Sequence, residues 1–108
     1  MQVTSGVSVD EIFDILKEFK DSSKNRFFSK IGIFGSFARG DDDIYSDVDI
    51  VVKVDEDALN KYDVWEYFET IRELKKIILD RLNLNSDIFD IESSSSILDS
   101  VKRDVVYV

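Results

Sequence analysis

Apolar positions along this chain change period several times, and each change marks an element. Ile12, Phe13, Leu16 and Phe19 recur at helical intervals behind Ser8 and Glu11, which have the spacing of a capping box. They predict a first helix over residues 9–21. Asp21 to Asn25 reads as a loop. Phe27 to Phe34 is β-rich, with Ile31 and Ile33 on the face opposite Gly32 and Phe34. From Gly35 to Ser46 the pattern breaks, leaving room for one turn of helix at most. Asp47 to Val54 predicts a second strand whose Ile50, Val51, Val52 and Val54 suit the inside of a sheet.

Further along, Val64, Phe68, Ile71, Leu74, Ile78 and Leu82 step by three or four residues, predicting a long helix over residues 61–82 with Tyr67, Lys75 and Lys76 off its apolar stripe. A third strand is expected at Asp87–Ile91. The Ser93–Ser96 run reads as a loop and helix cap, and Ile97, Leu98 and Val101 fit a short last helix. Val105 to Val108 is β-prone, suiting a closing strand. Alternation of helices and strands implies a sheet backed by helices, an α/β fold. With 108 residues, no proline and no visible linker or repeat, residues 1–108 are expected to form a single domain.

Composition narrows the chemistry. The chain contains neither cysteine nor histidine, which excludes thiol nucleophiles, Ser-His-Asp triads and His- or Cys-ligated metals. Any metal must be held by oxygen. A net charge of −9 argues against a broad surface for DNA or RNA. No apolar stretch approaches a membrane span and no leader is evident, so a cytoplasmic location is expected.

The segment from Ile31 to Val54, IGIFGSFARGDDDIYSDVDIVVKV, carries the candidate site. Asp47 and Asp49 open an apolar strand two residues apart and therefore share a face. Two carboxylates about 4 Å apart repel by roughly 4 kcal/mol at an effective dielectric of about 20. Unless one is protonated, a cation must lie between them, and Mg²⁺ is the oxygen-seeking ion of phosphate chemistry. Gly35-x-x-x-x-Gly40 has P-loop glycine spacing, but Asp41 and Asp42 stand where Lys and Ser or Thr belong, so that reading fails. If residues 37–39 begin a short helix, its free N–H groups, the Ser36 hydroxyl and Arg39 can hold phosphate. An ordinary strand-to-helix turn, with Gly35 for tightness and Ser36 as N-cap, uses the same residues. Asp41–Asp43 does not meet calcium-loop spacing and reads as a solvated loop. Asp87, or Asp90 three residues on, can add a third carboxylate if the third strand lies beside the second. Tyr62, Trp65, Tyr67 and Phe68 suit core or partner surface better than base stacking.

Gly35-Ser36, ten residues, then Asp47-x-Asp49 resembles the signature of the polymerase-β-type nucleotidyltransferases. The fuller string GSFARG…SDVDIVV, with the later Asp87-Ile-Phe-Asp-Ile and closing VVYV, is similar to their smallest branch, the minimal nucleotidyltransferases. The resemblance implies a polymerase-β-like core with a small mixed sheet backed by helices. It implies two Mg²⁺ ions on Asp47, Asp49 and Asp87, which would be both the metal-binding and the catalytic residues. Gly35, Ser36 and Arg39 would hold the phosphates of a nucleoside triphosphate, ATP being expected. NMP would pass to a hydroxyl with release of pyrophosphate. Members of this branch are often antitoxins whose partner is a helical HEPN-type ribonuclease, some adenylylating a tyrosine of it. A binding-only antitoxin and NMP transfer to a small hydroxyl compound are the alternatives. With no thumb, template-binding or tRNA-binding module apparent, a polymerase is not expected.

Overall fold

The computed structural model describes residues 6–93 and 97–108. Helix α1 spans Val9–Asp21, and strand β1 spans Phe28–Phe34. A single turn, α2, covers Ser36–Arg39, followed by strand β2 at Val48–Val54. Helices α3 (Glu56–Lys61) and α4 (Val64–Leu82) lead to β3 (Ser86–Asp90), α5 (Leu98–Asp104) and β4 (Val106–Tyr107). The four strands make one mixed sheet in the order β3-β2-β1-β4. β1 is antiparallel to both β2 and β4, while β2 and β3 are parallel. A parallel neighbour needs a crossover, and α3 with α4 supplies it.

Helix α1 begins where the sequence places it. Ser8 accepts a hydrogen bond from the Glu11 N–H, and the Glu11 carboxylate accepts one from the Ser8 N–H. The turn into β1 is fastened by Asn25, whose amide donates to the carbonyls of Lys20 and Phe28 and accepts from the Phe28 N–H.

One face of the sheet packs Ile31, Ile33, Val48, Ile50, Val52 and Val54 against Ile12, Ile15, Leu16 and Phe19 of α1 and Leu74 and Ile78 of α4. A bulge between Phe28 and Lys30 turns Phe28 onto this face too. On the other face Phe34, Val51 and Val101 form a smaller cluster with Phe89, Ile91 and Val105. β2 is thus apolar on both faces except at Asp49 and the exposed Lys53.

Two expectations need correction. The helix predicted over residues 61–82 starts three residues later, at Val64, and a separate short helix that the pattern did not predict, α3, precedes it across Tyr62 and Asp63. Asp63 and Glu66 form a second capping box, each side chain accepting the other's backbone N–H, and Asp55 caps α3. A capped start outcompetes continuation because it satisfies N–H groups that a helix end leaves free. The buried stripe of α4 is also rotated. Tyr67, expected off the stripe, stacks edge-on against Phe27, with Thr70, Leu74 and Ile78 buried behind it. Val64 and Phe68 face outward instead. Tyr62 likewise packs on Phe27. Most of the Ser93–Ser96 run lies outside the described residues. Among the described residues, no helix is long and apolar enough to cross a membrane.

Ile50 is fully buried at the centre of the sheet. Ile50→Ala is expected to cost about 2–5 kcal/mol of stability, measurable by urea denaturation; a loss under half a kcal/mol would contradict this packing.

Candidate active site

Strand register brings the candidate residues together. Phe34 pairs with Asp49 across the antiparallel ladder, so Gly35 follows directly beside that carboxylate. A Cβ added at Gly35 would fall on Asp49 Oδ2, and its φ of 77° lies in the left-handed region. Glycine is required here twice over, for the backbone angle and for the close approach. On the other side of β2, Asp49 is the register partner of Asp87 on β3. Partners on parallel strands point to the same face, so the two carboxylates are neighbours on the α5 side of the sheet. Asp47 lies just before β2, two residues upstream of Asp49, exposed at the rim.

Asp90 pairs with Val52, three residues from Asp87 and so on the opposite face. There its charge and, before it, burial raise the Tyr67 phenol above its usual range. The register therefore sets Asp87, not Asp90, beside Asp49.

Asp49 is half-buried between Val48 and Ile50, both fully buried. Its carboxyl is held above the ordinary carboxylate range, first by burial, then by the negative charges of Asp87 and Asp47, with Arg39 partly opposing. No Lys or Arg of the described residues forms an ion pair with Asp47, Asp49 or Asp87. Nor do three acids among the described residues close into a finished metal cage. Asp49 and Asp87 form the pair, and Asp47 stands open beside them. The donor set still suits a hard divalent cation, since every ligand is a carboxylate oxygen and a cation would offset both the repulsion and the burial cost at Asp49.

Ser36 opens α2, and the cap position belongs to Gly35, not Ser36. The first hydrogen bond of this turn runs from the Arg39 N–H to the Gly35 carbonyl, so the N–H groups of Ser36, Phe37 and Ala38 precede the helical ladder. Arg39 does not extend freely toward them. Its Nε donates to Asp41 at 3.1 Å and its Nη1 to Asp104 of α5 at 3.0 Å. Asp104 is nearly buried and also accepts from Arg103 at 3.1 Å. Sequence reading missed Asp104, because nothing local marks a partner 65 residues away. The acidic loop is also less uniform than expected. Asp43 caps its own turn, accepting from the Tyr45 N–H and the Ser46 hydroxyl.

A carboxylate pair, half-buried Asp49 beside exposed Asp87, next to a glycine-serine turn on a small mixed sheet defines a nucleotidyltransferase-type core. The family model described as a nucleotidyltransferase domain matches residues 12–107. The chain belongs to that family, and it resembles the minimal branch within it. A Thermococcus cleftensis protein named protein adenylyltransferase MntA is 33% identical over 105 residues, covering 94% of this chain and 97% of its own length. A Methanocaldococcus jannaschii protein, provisionally named a protein adenylyltransferase, is 35% identical over 104 residues, covering 94% and 98%. Among solved structures, a toxin-antitoxin crystal structure with AMP-PNP matches with TM-score 0.58 at 22% identity, over 94% of this chain and 72% of the other. A mutant MntA toxin-antitoxin complex matches at 0.60 and 20% identity over the same shares. Those structural likenesses establish the fold.

Gly35→Ala is expected to destabilise the protein by about 1–3 kcal/mol and to displace the Asp49 carboxylate, checked by urea denaturation and a crystal structure of the variant. For Asp49 the raised value means that the fold disfavours its charge. That cost grows as pH rises from the ordinary carboxylate range to the raised folded value and is complete above it. Asp49→Asn is therefore expected to raise the thermal midpoint at neutral pH, with the gain vanishing on acidification. Equal midpoints at neutral pH would contradict the burial and repulsion described for this group.

Proposed function

We propose that this protein transfers AMP from ATP to a hydroxyl of a partner protein, and that the partner is a helical HEPN-type toxin which the modification silences. The observation that carries this reading is the placement of Gly35 against the Asp49 carboxylate, with Asp87 in register beside it. That arrangement suits a phosphate-binding turn beside a cation-binding pair at one end of the central strands. The names of the relatives support AMP transfer to protein, and the toxin-antitoxin complexes among the fold neighbours support the partner class.

In this reading the Ser36 hydroxyl and the N–H groups that open α2 hold the terminal phosphates of ATP. Asp49, Asp87 and Asp47 would hold Mg²⁺, two ions being expected from the family chemistry, and the metal would supply charge neutralisation for the phosphates and for the entering and leaving oxygens. Asp49, the most enclosed of the three, orients the reacting phosphate. Asp87, exposed on β3, lies open to an incoming acceptor and takes its hydroxyl proton. The new bond joins the acceptor oxygen to the α-phosphorus, and the bond from that phosphorus to pyrophosphate breaks. Arg39 reaches phosphate by exchanging Asp41 or Asp104 for it.

A second reading, a binding-only antitoxin, is favoured by that engagement of Arg39 and by the chain's acidity, which suits a basic face of a ribonuclease. Asp47→Asn and Asp49→Asn separate the two. Labelled ATP, Mg²⁺ and the product of a neighbouring gene are expected to give AMP-labelled partner with the native protein and at least about a hundredfold less with either variant. Toxin neutralisation should fall with it. Neutralisation that survives both substitutions, without transfer, would favour the binding-only reading.

A further inference from the structure

Helix α4 has a second face that the fold does not use. Trp65, Phe68, Arg72, Lys75 and Leu79 follow one another at intervals of three, four, three and four residues. That is the spacing of a coiled-coil seam. At 3.6 residues per turn all five project away from Thr70, Leu74 and Ile78, which face the core. Trp65 is 73% exposed, Phe68 52% and Leu79 45%, and Arg72 and Lys75 are exposed as well. Several of these residues line a shallow open groove with Glu69 and Ile71. The chain carries 23 acidic against 14 basic residues. Yet among the described residues neither Arg72 nor Lys75 forms an ion pair. No cation lies over the Trp65 or Phe68 ring either.

We propose that this face binds a second copy of the same chain, the two α4 helices packing antiparallel about a two-fold axis level with Thr70. Four of the five residues are arranged as their own complement about that point, Leu79 lying beyond the paired stretch. Trp65 and Lys75 lie five residues either side of Thr70, and Phe68 and Arg72 lie two residues either side. Reversing one helix onto the other sets each Trp65 against the Lys75 of the second copy, and each Phe68 against its Arg72. Both contacts form twice, as two-fold symmetry demands. An aromatic ring attracts a cation over its face, and long basic side chains bury their apolar stems on it. In an antiparallel coil the two seam positions face one another across the pair, and here one kind carries the ring where the other carries the cation. A parallel pairing would instead stack Arg72 on Arg72 and Lys75 on Lys75, placing like charges together. A seam of one helix per copy is smaller than a standard stable interface, so the dimer is weak, with a dissociation constant on the order of micromolar.

The absence of cysteine makes the register directly testable. Trp65→Cys and Lys75→Cys proteins, mixed under mild oxidation, are expected to form a disulfide-linked heterodimer. Each alone should link poorly, because like positions are separated by about 15 Å along the helices, beyond disulfide reach. Sedimentation equilibrium of the unmodified chain is expected to show monomer and dimer exchanging with concentration. Phe68→Ala should weaken the dimer by about tenfold or more, with unchanged circular dichroism. A monomer at every concentration with no cross-link would overturn the proposal, leaving the stripe to a partner of different sequence. So would Trp65→Cys linking to itself as readily as to Lys75→Cys, which would signal a parallel pairing. None of these measurements involves nucleotide, so they stand or fall independently of the proposed transfer reaction.

Discussion

The site depends on the contact between the Gly35 backbone and the Asp49 carboxylate. It exists because β1 and β2 pair in a register that sets Phe34 against Asp49. A shift of one residue would turn every β2 side chain to the opposite face, moving Asp49 into the larger core and Ile50 out of it. The same pairing therefore enforces the hydrophobic core and the position of the acid. Stability and site geometry are coupled through one ladder of hydrogen bonds.

That coupling has an energetic consequence. β2 is buried along most of its length, and Asp49 interrupts it within reach of two further negative charges. No basic residue among those described forms an ion pair with the three acids. The fold bears an uncompensated cost at this point, as sites that bind cations or phosphate commonly do. Basic charge is close at hand, but Arg39 is tied to Asp41 and to Asp104. Through Asp104 the turn that follows Gly35 is fastened to α5, so the C-terminal part of the chain bears on the candidate site without contributing a candidate ligand.

Much of this was legible from residue order because its causes are local. The Ser8–Glu11 capping box starts α1 where it reads, and the switch between two-residue and helical periods marks the strands and helices. The Gly35-Ser36 to Asp47-x-Asp49 spacing brings the turn and the acid together because the two strands around it form an antiparallel pair. Where local signals competed, the reading failed. Val64 and Phe68 have helical spacing but face outward, while Tyr67 packs on Phe27. Periodicity identifies a stripe, but it does not say which of two stripes on one helix a sheet will cover. Helix α4 has both.

By itself, then, the sequence determined the order and kind of the elements other than α3, the glycine-serine turn, the acids beside it and the family to which the chain belongs, because each follows from spacing along one stretch of chain. Only the tertiary structure decided between Asp87 and Asp90 as the neighbour of Asp49, the engagement of Arg39 by Asp104, and which face of α4 is buried. These are relations between segments distant in the chain. Strand register and packing set them, and no local pattern encodes either.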